Sequence, residues 1–348
     1  MHDIVDLRSD TLTTPTPEMR AAMAAAEVGD DVWEEDPTVQ RLEARAAERF
    51  GKEAGLFVAS GTMGNQVAVL THTQPGQEVL CDADAHITSF EVAGIARLSL
   101  CQTRPLQTER GLPTPEQVRA AIRPKNIHIP VTGLLCLENT HNRHSGVAFT
   151  PDEIGGVAAV VREHGVPVHL DGARIFNACV ALRRDAREYG AVVDTVQFCL
   201  SKGLSAPVGS LIVGPREFIA RARRMRKLLG GGMRQVGVLA AAGLIALDKM
   251  VDRLVEDHAN ARRLAEGLVG LPGIRVDLSR VQTNIVIFHV DRPAGAAALV
   301  EGGKARKVKI HAIGPASIRC VTHKDVDAED VDRAIAAIRE IVHGLGGW

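Results

Sequence analysis

Asp171 and Lys202 are the residues of this chain best placed by type and spacing to do chemistry. Each closes a short apolar run, "VPVHLD" (166–171) and "TVQFCLSK" (195–202), and they lie 31 positions apart. That interval fits one strand–crossover–strand unit, so both side chains would leave the same edge of a sheet. A carboxylate and an amine at neighbouring strand ends could form a plain buried ion pair. The functional alternative is a pyridoxal 5'-phosphate site. There the lysine takes up the aldehyde as a Schiff base, an aspartate keeps the pyridine nitrogen protonated, and the ring draws electrons from the substrate's α-carbon. Lysine suits this work because desolvation or nearby cations release its proton.

Such a cofactor needs further groups, and the sequence offers candidates. "SGTMGNQ" (60–66) follows an apolar run and opens a helix-like stretch, where free backbone N–H groups favour an anion. His86, in "CDADAHITSFE", follows the next run; an imidazole can stack on a ring and still handle protons near neutral pH. An amino-acid substrate brings a carboxylate, which calls for an arginine fork; Arg174 and Arg319 are candidates. In "GGGMRQ", Arg234 follows three glycines that permit close backbone approach, so it could reach a phosphate. His141 and His144 in "THNRH" have no cysteine or acid at ligand spacing beside them, so no metal site is expected.

The elements that must position these residues are also readable. "TPEQVRAAI" and "TPDEIGGVAAVV" each pair a threonine N-cap with proline at the first helical position and Gln117 or Glu153 at the third, the capping-box pattern. Between helices lie six strand-length runs, at 55–60, 78–83, 133–138, 166–171, 195–200 and 210–214. Most are apolar throughout, as for strands covered on both faces. Strand alternating with helix predicts an α/β fold with a mostly parallel sheet, and ligands of such sheets bind at the carboxyl ends of the strands. The final hundred residues read as a smaller α/β unit, which divides the chain into 1–248, including the N-terminal segment, and 249–348.

Composition narrows the function classes. The 348 residues include 41 Lys+Arg against 42 Asp+Glu, with 3% aromatic residues. That balance offers neither the basic stripe nor the stacking surface expected of a nucleic-acid binder, nor a basic patch for a membrane surface. The longest apolar run, Val236–Leu247, is too short to span a bilayer and reads as a buried helix, one that could pack between subunits. The acidic, polar N-terminus is no signal peptide, and six scattered cysteines without a C-x-x-C pair suit a reduced, cytoplasmic protein.

Taken together and in order, "DLRSDTLTTPTPEMR", "EVGDDVWEEDPTVQRLE", "FVASGTMGNQ", "ENTHN", "HLDGARIFNA", "CLSKGLSAPVGS" and "GGGMRQ" resemble the low-specificity L-threonine aldolases, pyridoxal-phosphate enzymes of fold type I within the β-eliminating lyases. The resemblance runs over essentially the whole chain. It implies that Lys202 carries the cofactor and Asp171 meets its ring nitrogen, with His86 stacked on the ring. Gly61 and Thr62 would hold the phosphate, helped by Arg234 of a neighbouring subunit. Ser9, Arg174 and Arg319 would grip the substrate carboxylate, and His128 would sit near the β-hydroxyl with His86. A homotetramer of paired dimers is implied too. The reaction would be cleavage of β-hydroxy-α-amino acids to glycine and an aldehyde, with His86, His128 or a held water as base. The alternative is another reaction on the same cofactor, β-elimination or racemisation. One departure is visible: the family's usual DDVYGEDP becomes "DDVWEEDP", so Trp33 exchanges a hydroxyl for an indole donor and Glu34 replaces glycine. Substrate preference and rate are the properties this would alter.

Overall fold

The structure is a computed structural model that describes residues 3–124, 126–292 and 294–344. Thirteen strands are present among them. β1 is Val5–Asp6, β2 Ala54–Val58, β3 Glu78–Asp82, β4 Gln102–Leu106, β5 Thr132–Glu138, β6 Val168–Asp171, β7 Thr195–Cys199 and β8 Ser210–Gly214. β9 (Ile274–Val276), β10 (Ile285–Val290), β11 (Val308–Lys309), β12 (His311–Gly314) and β13 (Ser317–Val321) follow. Seven of them form one sheet in the order β2-β8-β7-β6-β5-β3-β4. Its neighbours from β7 through β4 pair in parallel, while β8 runs against both β2 and β7. The short β7–β8 connection is possible only because those two strands are antiparallel, and Lys202 sits in it.

The strands expected from continuous apolar runs are there, and β3, β5, β6, β7 and β8 are buried along their whole length. Helices cover both faces. Phe50, Phe57, Leu135, Leu170, Phe198 and Leu211 contribute to the main core; Leu56, Val58, Val67, Ile212 and Phe218 make a smaller cluster. Thr114 and Thr150 close capping boxes with Gln117 and Glu153, and Asp36 caps the helix Pro37–Phe50, which ends at left-handed Gly51. β4 carried no signal of its own. It is a half-exposed edge strand containing Arg104 and Pro105, and proline is tolerated in a sheet mainly at such edges.

A second core joins Leu264, Val286, Phe288, Leu299, Ile318 and Ile338, among others, around the antiparallel sheet β12-β13-β10-β9. The stretch "KVKIHAI" splits into β11 and β12 because its two halves serve different partners: β11 pairs with β1 and β12 with β13. Val5 and Leu7 are fully buried in this second core. The N-terminal strand thus packs with residues on the far side of the expected division at 248. The helix Leu254–Leu268 bridges the two cores, with Leu254 in the first and Ala261 in the second.

Glu34 adopts φ 58°, ψ 37°, a left-handed conformation that costs an L side chain roughly 1–2 kcal/mol. Its carboxylate gains only a half-exposed pairing with Arg223 at 3.4 Å, worth little in water. Glu34→Gly, which restores the residue the resemblance places there, is expected to raise stability by about 1 kcal/mol. The urea midpoint reads this directly, and a fall in midpoint would contradict it.

Candidate active site

The strand ends converge on one cavity of about 210 Å³ whose lining includes Gly61, Thr62, Asn65, His86, Asn142, Asp171, Arg174, Gln197 and Lys202. Parallel pairing sets Asp171 between Glu138 of β5 and Gln197 of β7, and Lys202 follows three residues after β7. The plain ion pair between Asp171 and Lys202 is absent. Asp171 instead accepts from Ala173 N at 3.0 Å and Asn65 Nδ2 at 2.7 Å. Lys202 Nζ makes no hydrogen bond or ion pair with any described residue, while the Lys202 carbonyl is held by Thr13 Oγ1 and Ser205 N. An amine lining this cavity with no partner of its own is available for chemistry.

The helix Gly61–His72 starts at the cavity. Ser60 caps it by accepting from Met63 N at 3.1 Å; the amides of Gly61 and Thr62, in its first turn, have no intrahelical acceptor. A Cβ on Gly61 would lie 2.8 Å from Cys199 Sγ, so only glycine lets this turn press against β7. Buried Gln197 Oε1 has no hydrogen-bond partner. Free amides at a helix start, an unpartnered amine and an orphaned amide oxygen together suit an anionic, polar cofactor such as pyridoxal phosphate.

His86 opens the short helix after β3. Its backbone N donates to Glu138 Oε2 at 2.6 Å, and Nδ1 meets Glu91 Oε1 at 2.8 Å. Glu91 is buried and also accepts from Asn65 Nδ2 and Gln66 Nε2, so Asn65 bridges it to Asp171. Burial pushes the imidazole's pKa down, but the Glu91 hydrogen bond and the charges of Asp171, Glu91 and Glu138 outweigh it, leaving the value raised above 6.5. A raised histidine pKa adds stability that is full below about pH 6.5 and is lost as pH climbs through the folded value. Nothing in "SFEVAGIA" marked Glu91; Asn65 lies inside the glycine-rich stretch but only the fold shows what it joins.

If neutral His86 is the base, activity rises as pH passes its folded pKa. Removing the Glu91 charge by Glu91→Gln is expected to move that acid limb of kcat/KM down by roughly one pH unit. An unmoved limb would mean another group sets it.

The arginines are placed unequally. Buried Arg174 spends Nε and Nη2 on Asp10, at 2.7 and 2.6 Å, which leaves Nη1 at 3.5 Å from Asn142 Oδ1. Burial raises the Asp10 carboxyl, but Arg174 overrides this and holds it well below the usual carboxylate range. Arg319 also reaches Asn142 Oδ1, at 2.8 Å, without itself lining the cavity. Burial, with Arg174 and Arg143 nearby, pushes its guanidinium down to about 10, and its buried Nε has no partner. An incoming carboxylate would relieve both conditions. Ser9 turns its hydroxyl to Thr11 and does not line the cavity.

Three of the expected residues lie elsewhere on this chain. His128 stands exposed in a turn, its N bonded to Asn126 Oδ1. Trp33 is 74% exposed. Arg234 pairs with Asp30 at 3.1 Å, and its carbonyl accepts from Asp31 N. Trp33 and Arg234 both stand exposed beside the Asp30–Asp31 turn.

The model of the β-eliminating lyase family matches residues 6–293. This chain belongs to the β-eliminating lyases. Within that family of enzymes its relatives are threonine aldolases. Low specificity L-threonine aldolase of Escherichia coli K12 is 45% identical over 96% of this lyase and 98% of its own length. The probable low-specificity L-threonine aldolase 2 of Arabidopsis thaliana is 44% identical over 97% of each chain. The lyase also shares its fold with the threonine aldolase of Leishmania major at a TM-score of 0.85 and 17% identity, covering 97% of this chain and 99% of that one.

Proposed function

We propose that this lyase cleaves L-threonine, L-allo-threonine and related β-hydroxy-α-amino acids to glycine and an aldehyde, acetaldehyde from threonine, with pyridoxal 5'-phosphate as cofactor. The observation that carries the reading is the unpartnered Lys202 amine in one cavity with Asp171 and the free amides of Gly61 and Thr62. The relatives' names favour aldol cleavage over the alternatives of β-elimination and racemisation.

When bound, the cofactor supplies an electron sink for the pair released from the Cα–Cβ bond. Lys202 would hold it through Nζ, Asp171 would face its ring nitrogen, and Gly61 and Thr62 would seat its phosphate, with Arg234 of a second subunit as a further cation. Arg319, with Asn142 and the remaining N–H of Arg174, binds the substrate carboxylate and so turns the scissile bond. His86, steadied by Glu91, takes the β-hydroxyl proton as the aldehyde departs; His128 joins it only if its turn, or that of another subunit, reaches the cavity. The proton returned to the α-carbon makes glycine, so atoms and charge balance without a further reactant.

The reading also proposes a homotetramer of paired dimers with shared sites, in which the exposed Trp33 and Arg234 surface meets a neighbour's cavity. It divides each chain near residue 248 and places the protein in the cytoplasm, consistent with six buried, unpaired cysteines. No helix among the described residues is long and apolar enough to cross a membrane.

The decisive experiment feeds L-threonine to protein saturated with pyridoxal phosphate and measures glycine and acetaldehyde together. Equal amounts of both support aldol cleavage; pyruvate from serine with nothing from threonine would reverse it. Arg319→Ala is expected to raise KM roughly 10- to 100-fold, the loss of one charge-assisted pairing, with bound colour kept. Loss of colour at unchanged KM would remove Arg319 from the carboxylate site.

A further inference from the structure

His141 and His144 lie on one short segment that follows Glu138, and the fold brings a nearer acid from another strand. Asp82 ends β3, which pairs with β5, and the segment after β5 carries both histidines. Asp82 Oδ1 is 3.1 Å from His141 Nε2, and one ligand atom from each of Asp82, His141 and His144 falls within 4.8 Å of the others. His141 is fully buried and Asp82 nearly so. His144 Nε2 is shielded from solvent yet has no hydrogen-bond partner. The exposed carboxylate of Asp84 stands 3.9 Å from it, and that of Glu138 stands 3.9 Å from His141 Nε2.

The surroundings hold these donors in place. Thr108 Oγ1 donates to Asp82 Oδ2 at 2.6 Å and accepts from Gly111 N at 2.8 Å. Gly111 has φ +96°, and a Cβ there would lie 2.4 Å from His141 Cδ2, so the ring is confined against a backbone only glycine can supply. A carboxylate fixed through its second oxygen is the outer-shell arrangement typical of metal ligands. Two imidazoles and one carboxylate suit a divalent ion of the zinc class better than magnesium or calcium, which prefer oxygen throughout. A buried imidazole nitrogen without a partner is the kind of orphan that an ion satisfies.

We propose that Asp82, His141 and His144 bind one divalent transition ion per chain, with Asp84 or water completing the coordination. This site is separate from the cavity, yet Asn142, which receives Arg319 Nη1 and donates its N to Glu138 Oε1, lies between the two histidine ligands. Occupancy stiffens the segment that seats the substrate carboxylate.

Equilibrium dialysis of the cofactor-loaded protein against Zn²⁺, without amino acid, tests this; Co²⁺ in place of zinc gives the visible bands of a low-coordinate centre. One ion per chain is expected, with binding weakened on the order of 100-fold by His144→Ala. The His144 side chain makes no hydrogen bond, and alanine keeps the backbone bonds to His141 and Val147, so that variant should fold, and circular dichroism checks that it does. Stoichiometry far below one in the parent protein would overturn the proposal. Equal affinity in parent and variant would do the same, because the ion would then sit elsewhere. Neither result depends on whether threonine is cleaved.

Discussion

Lys202→Ala is expected to yield a folded protein that cannot be coupled to pyridoxal phosphate by borohydride and that cleaves L-threonine at least about 10⁴-fold more slowly. The fold should survive because the side chain's amine makes no bond within the described structure; residue 202 contributes to local architecture through its carbonyl, which Thr13 and Ser205 hold, and alanine keeps that group. The chemical loss should be large because no other lysine among the described residues lines the cavity. Peptide mapping after reduction of the parent protein provides the complement, with the adduct on residue 202. A variant that turned over at near-parent rates, or an adduct on another lysine, would remove the basis of the proposed function.

Asp171→Asn is the second change with a large expected effect, and here structure and activity should both suffer. The present carboxylate accepts two hydrogen bonds, from Ala173 N and Asn65 Nδ2. An amide of the same shape can keep one acceptor but sets its NH₂ against a donor, whichever way it is flipped. Asn65 cannot simply turn over, since the same NH₂ serves Glu91 and its Oδ1 lies 3.1 Å from His169 Nε2. One buried donor left without an acceptor costs about 1–3 kcal/mol. Turnover should fall on the order of 10³-fold, because a neutral amide no longer stabilises positive charge on the ring nitrogen. Thermal unfolding and kcat, measured on the same preparation, separate the two losses. A normal rate would exclude Asp171 as the pyridinium partner, whatever happened to stability.

What could be read in advance followed the range of each interaction. Thr114 with Gln117, and Thr150 with Glu153, announce helices because both partners sit within one turn. Asp171 and Lys202 announce a shared edge because the length of a crossover is nearly constant. By contrast, Glu91 reaches His86 only across a bend in a polar segment, and Asp82 reaches His141 only through the pairing of β3 with β5; no local pattern encodes either meeting. Arg174 looked like a substrate fork by type and position, but its pairing with Asp10, 164 residues away, had no sequence signal. His128 shows the reverse case. Its residue type fits a proton-transfer role, yet the chain it belongs to leaves it exposed in a turn.

β1 pairs in parallel with β11, Leu7 N bonds to Lys309 O, and Val321 N bonds to Leu7 O; a few residues later Asp10 engages Arg174 and Thr13 engages the Lys202 carbonyl. This early stretch is therefore one of the last to find its place, because its strand partner β11 is translated some three hundred codons later. Until then the Asp10 and Thr13 contacts have nothing to anchor them from the N-terminal side. Catalytic competence should arise only once β11 has been made and released from the ribosome's tunnel, and nascent chains stalled before β11 should stay inert even with the Lys202 loop already made.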